Sequence, residues 1–419
     1  MSIQYRTKAK IINDPVLGLT DITSPLILTL IEHPWVQRLR RIKQLGMSDM
    51  VYPGAQHTRF LHTIGATSLM KLAIDTLRIK GVEITDEECE SAMIAILLHD
   101  IGHCPFSHAL EHHIANVDHE EISLIFINKL NKLFEGKLTT AIDIFTGKYK
   151  KKFLSQLVSG QLDVDRLDYL RRDSFFTGVT EGIVNTDRII KMLDVANDQL
   201  VVEKKGIYSI EKFLIARRLM YWQVYLHKTV HSAEQLLINI LRRAKYLTQK
   251  GETLFASEAL KYFLQNEVTI DDFTTDTIRE NGKTTLENFA QLDDGDLLIA
   301  IKVWTSHPDK VLSMLCHNLI NRNLPKTIVQ DHAADKQMVA ELQERVMKLH
   351  NLTPDEASYF VSAGTIANKA YSQRHDQIQI KEKDGTLTEI VNVADMLDIK
   401  ALSTTISKYY ISWPKEINY

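Results

Sequence analysis

Between residues 85 and 100, TDEECESAMIAILLHD, apolar side chains return every three to four positions. Cys89, Met93, Ile96 and Leu97 fall on one stripe, which predicts a helix with a buried face. Thr85 followed by Glu88 has the spacing of a capping box and sets its start. The stripe ends in Asp100, a carboxylate where another apolar residue belongs. The same period dominates from about residue 24 to 245 and continues to about 322, with no internal repeat. Ahead of it, AKIINDPVLGLTDI (9–22) predicts a hairpin with its turn at Asn13-Asp14-Pro15, packed on the helices. NRNLPKTIV (321–329) marks a boundary, and QIQIKEKDGTLTEIVN (377–392) predicts a second hairpin turning at Asp384-Gly385. The expected fold is mostly α. A helical domain spans 1–325, with its chemistry in about 10–245, and a smaller α+β region spans 326–419.

Composition narrows the setting. The chain has 419 residues, 44% hydrophobic and 25% charged, enough for one large core or two smaller ones. No apolar run approaches the roughly 20 residues that span a bilayer, and the start, MSIQYRTKAK, lacks a signal-like apolar region. A cytoplasmic protein with no membrane partner is expected. The three cysteines, Cys89, Cys104 and Cys316, show no CxxC spacing, so any metal must rest on histidines and carboxylates. A net charge of −3 makes no general case for nucleic-acid binding. The basic clusters RLRRIK (38–43) and RRAK (242–245) are either phosphate sites or solvated faces.

Chemistry gathers at helix ends. His99 and Asp100 diverge by about 100° on a helix, so both reach one ion only near its end, which Gly102 and Pro105 place here. Alone they read equally well as a hydrogen-bonded core pair. His62, after the loop-like GAQHTR, and Asp165, in QLDVDRLDYLRRD (161–173), change that reading. Two imidazoles and two carboxylates from three segments suit a borderline divalent ion: iron, manganese, zinc or magnesium. If 163–173 is helical, Asp165, Tyr169, Arg172 and Asp173 share one face, either a functional wall or a surface laced with salt bridges. After Pro105, His108 and Glu111 stand at i, i+3, where a carboxylate orients an imidazole for acid/base work, and His119 can join them. Arg217, Tyr221, Tyr225 and Lys228 lie along one stripe of 210–228, suited to a triphosphate or to an interface.

HTRFLHTIG, LLHDIGHCPFSH and DVDRLDYLRRD together resemble the HD-domain phosphohydrolases, and more narrowly their deoxynucleoside triphosphate (dNTP) triphosphohydrolases. The likeness runs from KIINDPVLG to RRLMYWQVYLHK, roughly residues 10–245, with no counterpart of the SAM domain that some members carry. The resemblance implies an HD-type helical bundle. It assigns the metal to His62, His99, Asp100 and Asp165, and implies cleavage between the 5′-oxygen and the α-phosphorus. The products are a deoxynucleoside and triphosphate, and dGTP preference occurs among the members.

By the same correspondence Arg59 contacts the α-phosphate, His108 with Glu111 is the acid/base dyad, and His119 supports it. Arg166 and Arg217 match phosphate clamps, Arg166 replacing a lysine. Gln44 and Asp173 match groups on the 3′-hydroxyl, and Tyr169 matches the ring that excludes a 2′-hydroxyl. Leu45, His103 and Tyr225 complete the implied substrate site. Lys10, Ile11, Asn13, Glu32, Gln37 and Arg40 match parts of an activating-nucleotide site, with Glu32 in place of an aspartate. Arg188 and Lys228 match contacts from neighbouring subunits, which implies a dimer or tetramer. Two other readings stand beside this one: an HD phosphodiesterase of cyclic or alarmone nucleotides, and a non-catalytic binder of nucleotides or single strands.

Overall fold

A computed structural model describes residues 9–279, 281–368, 377–396, 398–399 and 406–418. The N-terminal stretch read above for a signal lies largely outside them. The chain opens with strands β1 (Lys10–Asp14) and β2 (Gly18–Ile22), antiparallel from Lys10↔Ile22 to Asp14↔Gly18. The turn falls at residues 15–17, two residues later than expected. Asp14 stays in β1, and its Oδ1 accepts from the Val16 and Leu17 amides at 2.7 and 2.9 Å.

Helices α1 (Pro25–Glu32) and α2 (Pro34–Arg38) lead to α3 (Arg59–Ile79), the central helix. Phe60, Ile64, Ala66, Leu69, Met70, Ala73 and Leu77 of α3 are all buried, because α4 (Asp86–Leu98) and α8 (Val164–Thr177) pack on two sides of it. The Thr85–Glu88 capping box starts α4 as its spacing predicts. Between α4 and α8 lie α5 (His119–Leu133), α6 (Thr139–Phe145) and α7 (Lys152–Val158). The helical run is then interrupted. After α9 (Thr186–Met192) come β3 (Leu193–Ala196) and β4 (Gln199–Glu203), joined at Asn197 and Asp198 with φ of +52° and +61°. Asn-Asp is one of the few non-glycine pairs that accept such a turn.

Helix α10 (Ile207–Met220) passes into a π-helical turn at Tyr221–Tyr225 before α11 (Lys228–Gln249). Five helices follow, α12 (Glu258–Gln265), α13 (Ile270–Thr274), α14 (Thr285–Gln291), α15 (Asp294–Trp304) and α16 (Lys310–Ile320). Beyond them β5 (Lys326–Gln330), β6 (Ser362–Asn368) and β9 (Ile406–Trp413) form a sheet in the order β5-β9-β6. The hairpin β7 (Gln379–Lys381) and β8 (Leu387–Glu389) turns at Asp384-Gly385. β7 pairs in parallel with β4, which ties it to the helical part. Among the described residues no helix is long and apolar enough to cross a membrane.

Most cations of the two basic clusters hold the fold. Arg38 is fully buried and donates to the Leu292 and His103 carbonyls, Arg41 pairs with Asp293, and Lys43 with Asp49. In 242–245, Arg243 pairs with Asp309 and Arg242 donates to Asn239. Arg172 likewise leaves the face expected for it. It turns away from Asp165 and is buried between Asp168 and Asp14, at 2.8 Å from each.

That placement depends on Gly65. A Cβ there would collide with the ends of Arg172 and Asp168, which are locked in their ion pair. We expect Gly65→Ala to lower unfolding free energy by about 1–3 kcal/mol through overpacking. The denaturant midpoint measures it, and an unchanged midpoint would mean that the pair yields freely.

Candidate active site

The loop before α3 and the ends of α4 and α8 meet at a cleft of about 800 Å³. His62 comes from the first turn of α3, His99 caps the end of α4, Asp100 follows it, and Asp165 stands in the first turn of α8. His62, His99 and Asp100 offer donor atoms within 4.8 Å of one another. Asp165 Oδ1 lies 3.0 Å from His62 Nε2 and 3.5 Å from His99 Nε2. The four expected ligands therefore meet at one place.

Their hydrogen bonds test whether a cation fits. His62 Nδ1 contacts Asp168 at 2.8 Å, and His99 Nδ1 contacts the Ile96 carbonyl at 2.6 Å. A carboxylate or carbonyl can only accept, so both rings carry their proton on Nδ1. Both Nε2 atoms are buried without a hydrogen-bond partner. Two lone pairs beside two carboxylates form a donor set that can hold a divalent metal. Without a cation the imbalance is strong. Burial opposes protonation of His62, yet Asp165 and Asp168 outweigh it and push the ring up to about 10. Burial would raise the Asp165 carboxyl, but His62 and His99 hold it well below the usual range.

The second cluster sits on the loop after α4. Ser107–Leu110 forms one 3₁₀ turn rather than a helix started by Pro105, with Phe106 and Ser107 both at φ +55°. His108 Nδ1 lies 2.7 Å from Glu111 Oε2, and His119 Nδ1 lies 2.5 Å from Glu111 Oε1. One carboxylate thus orients two imidazoles. Burial opposes its ionisation, but His108 and His119 hold Glu111 far below an ordinary glutamate. His103 stacks on His119 with centroids 3.9 Å apart and touches Asp100 at 3.1 Å. Arg59 pairs with Asp100 and donates to Ser107 Oγ at 2.7 Å.

The remaining wall is polar and aromatic. Arg166, Tyr169 and Asp173 of α8 line the cleft opposite Arg217, Tyr221 and Tyr225. The cation on this wall is Arg166, paired with Asp163, rather than Arg172. Asp173 accepts from Tyr225 at 2.8 Å and contacts His57 at 2.7 Å. Gln44 and Leu45 line the same space, and the buried Gln44 Oε1 has no hydrogen-bond partner. The stripe through 210–228 is broken, because the π turn takes in Tyr221 and Tyr225 and the chain leaves it at Leu226 before Lys228 starts α11.

The residues expected at a second nucleotide site lie apart from the cleft. Lys10 Nζ is 3.8 Å from Glu32, Gln37 donates to the Ile31 carbonyl, and Arg40 donates to Gln37 and covers the Phe60 ring. Ile11 and Asn13 belong to β1, with Ile11 63% exposed. Arg188 instead donates to Ser209 and the Lys205 carbonyl.

Sequence reasoning missed Asp168, His57 and Ser107, which touch the site residues and hold them. Asp168 and Arg172 at i, i+4 were a readable ion pair. Nothing local marks His57 as the partner of Asp173, 116 positions away.

Residues 59–173 match the HD domain family, and residues 184–261 match the HD associated region. The crystal structure of a phosphohydrolase from Bacteroides thetaiotaomicron is 52% identical at a TM-score of 0.93, covering 97% of this chain and 100% of that one. The uncharacterized protein YwfO of Bacillus subtilis is 35% identical over 325 residues, 76% of this chain and 71% of that protein. The deoxynucleoside triphosphate triphosphohydrolase SAMHD1 homolog of Dictyostelium discoideum is 31% identical over 269 residues, 59% of this chain and 52% of that protein. With the HD match, a metal-capable cluster of two histidines and two aspartates and these relatives in agreement, the chain belongs to the HD-domain, dNTPase-like family of phosphohydrolases.

Proposed function

We propose that the cleft hydrolyses deoxynucleoside triphosphates between the 5′-oxygen and the α-phosphorus, releasing a deoxynucleoside and intact triphosphate. One observation carries the reading: the unpartnered Nε2 of His99 lines a cleft with three arginines and the Tyr169–Asp173–Tyr225 wall, and the unpartnered Nε2 of the buried His62 lies 3.0 Å from Asp165 in that lining. Phosphate chemistry and a sugar-sized polar wall lie side by side.

In this reading His62, His99, Asp100 and Asp165 hold a divalent ion, whether manganese, iron, magnesium or zinc. When bound, such an ion lowers the pKa of water and polarises a phosphoryl oxygen. The protein's own groups do the rest. Arg59, kept in place by Ser107 and Asp100, meets the α-phosphate. Arg166 and Arg217 take the β- and γ-phosphates, whose geometry suits forked guanidiniums. As a water oxygen bonds to the α-phosphorus and the bond from phosphorus to the 5′-oxygen breaks, His108, held at Nδ1 by Glu111, gives its Nε2 proton to the departing oxygen, and the proton lost by the water restores His108 Nε2. His119 shares the same carboxylate and keeps it charged. His103, stacked on His119, fills the floor between the two clusters. Gln44 Oε1 accepts the 3′-hydroxyl proton, its buried and unpartnered state being the support for this role. Leu45 covers the adjoining sugar and base.

We further assign the surface group of Lys10, Ile11, Asn13, Glu32, Gln37 and Arg40 to an activating nucleotide at a subunit contact. Arg188 and Lys228 reach the same ligand from neighbouring copies in a dimer or tetramer. The support is that Lys10 pairs with Glu32, Arg40 donates to Gln37, and Gln37 donates to the carbonyl of Ile31, the residue before Glu32.

Incubating metal-loaded protein with the four dNTPs, singly and mixed, tests the central reading. Inorganic triphosphate should appear as the phosphate product. Pyrophosphate or orthophosphate, or turnover of cyclic or alarmone nucleotides alone, would contradict it. A second test addresses Tyr169, whose ring lies 6.2 Å from Tyr225 across the sugar wall. Tyr169→Ala should lower the kcat/KM ratio of dATP over ATP, since loss of the ring opens space for a 2′-hydroxyl. Sugar misplacement of about 1 Å can cost ~10²-fold in turnover, so the ratio, which cancels general damage, is the quantity to read. A constant ratio with both rates falling would assign Tyr169 to packing.

A further inference from the structure

Three glutamates in the cleft wall, Glu120, Glu121 and Glu234, have no part in the reaction just described, and Glu234 is the one beside Gly46. Glu234, in the second turn of α11, lines the cleft with its side chain 23% exposed. Among the described residues its one ion-pair neighbour is His231, 4.0 Å away. That ring packs edge-on against Tyr410, and burial pushes it down to about 4, so it supplies no counter-charge at neutral pH. Burial also pushes Glu234 up to about 8. The group then stands mostly as the neutral acid, with one O–H donor and one carbonyl acceptor.

Its position relative to the sugar wall follows from the chain. Gln44 and Leu45 line the cleft together with Tyr169, Asp173 and Tyr225, and the next residue, Gly46, at φ +51°, turns its bare side toward Glu234. A Cβ on Gly46 would come 3.7 Å from Glu234 Oε1 and 2.8 Å from the Phe106 carbonyl. Opposite, Tyr225 is bonded to Asp173 and is followed by Leu226. Leu45, Gly46, Phe106, Ala109 and Leu226 line the cleft as well, with the Glu234 carboxyl, Phe106 and Ala109 around Gly46. Apolar faces with a polar group at one side fit a planar heterocycle.

We propose that Glu234 holds the nucleobase, its carboxyl group hydrogen-bonded to the base's pairing edge while Leu45 and Leu226 cover the ring faces. This rests on the deoxynucleotide reading of the cleft. Each base carries a neighbouring donor and acceptor on that edge: N6 and N1 of adenine, N4 and N3 of cytosine, N1 and O6 of guanine, N3 and O4 of thymine. A neutral carboxyl matches all four. Glu234 thus requires a base without choosing one.

The test compares wild type with Glu234→Leu and Glu234→Gln in the full chain. The probes are dATP, dGTP and an abasic tetrahydrofuran triphosphate, which has the sugar and phosphates but no base. Triphosphate release gives kcat/KM, and equilibrium titration gives Kd. Losing a paired base contact should lower the preference for dNTP over the abasic probe about tenfold or more in the leucine variant. Glutamine, which also presents a donor beside an acceptor, should stay within about threefold of wild type. Should the leucine variant not fold, Glu234→Ala reads the same ratio. An unmoved ratio, or equal damage from glutamine and leucine, overturns the assignment. If the Kd ratio shifts as expected while no dNTP is hydrolysed, the hydrolase reading fails and this one stands. Normal triphosphate release with an unmoved ratio gives the reverse, and a chain that binds no dNTP overturns both.

Discussion

The site depends on a buried run of charges: Asp14 to Arg172, Arg172 to Asp168, and Asp168 to His62. Arg172 and Asp168 have no exposed side-chain surface. Isolated charges in such a place would cost several kcal/mol each, so each group is tolerable only because its partners are present. Burial works against ionising Asp168, yet Arg172 and His62 hold its carboxyl below the usual range. Its charge in turn keeps the His62 proton on Nδ1. The buried Nε2 left without a hydrogen-bond partner beside Asp165 is a consequence of charges placed behind the ring.

The same chain reaches the N-terminal hairpin. Asp14 uses one oxygen to close the turn after β1 and the other to meet Arg172. The strand that carries Lys10, Ile11 and Asn13 is thereby joined to His62 through three side chains. Gly65 makes the arrangement possible, since only a residue without a side chain lets α3 approach the pair.

How much of this was legible follows from the range of each interaction. The α4 capping box and the stripe into Asp100 are local, and both lie where the spacing put them. The meeting of His62, His99, Asp100 and Asp165 was readable because histidines and aspartates at helix ends are unusual, and the resemblance joined segments that spacing alone left apart. Arg172 was misread because helical spacing gives faces but not which face meets the cleft. With α3 packed on α8, Arg172 faces inward to Asp14 and Arg166 takes the cleft side. The β3–β4 hairpin was missed because Asn197-Asp198 is a weak turn signal inside a helical stretch. His57 and Ser107 act across tertiary contacts that no window of sequence contains.

Asp168→Asn tests the claim that the buried charges make His62 a ligand. The amide preserves size and can still meet His62, but it removes the charge that fixes the Nδ1 proton, and loss of such a supporting partner costs about 10–100-fold in metal affinity. Metal content should be measured by competition with a chelator on protein whose circular dichroism matches wild type. The account predicts weaker binding by about that factor. Wild-type affinity in a folded Asp168→Asn protein would contradict it.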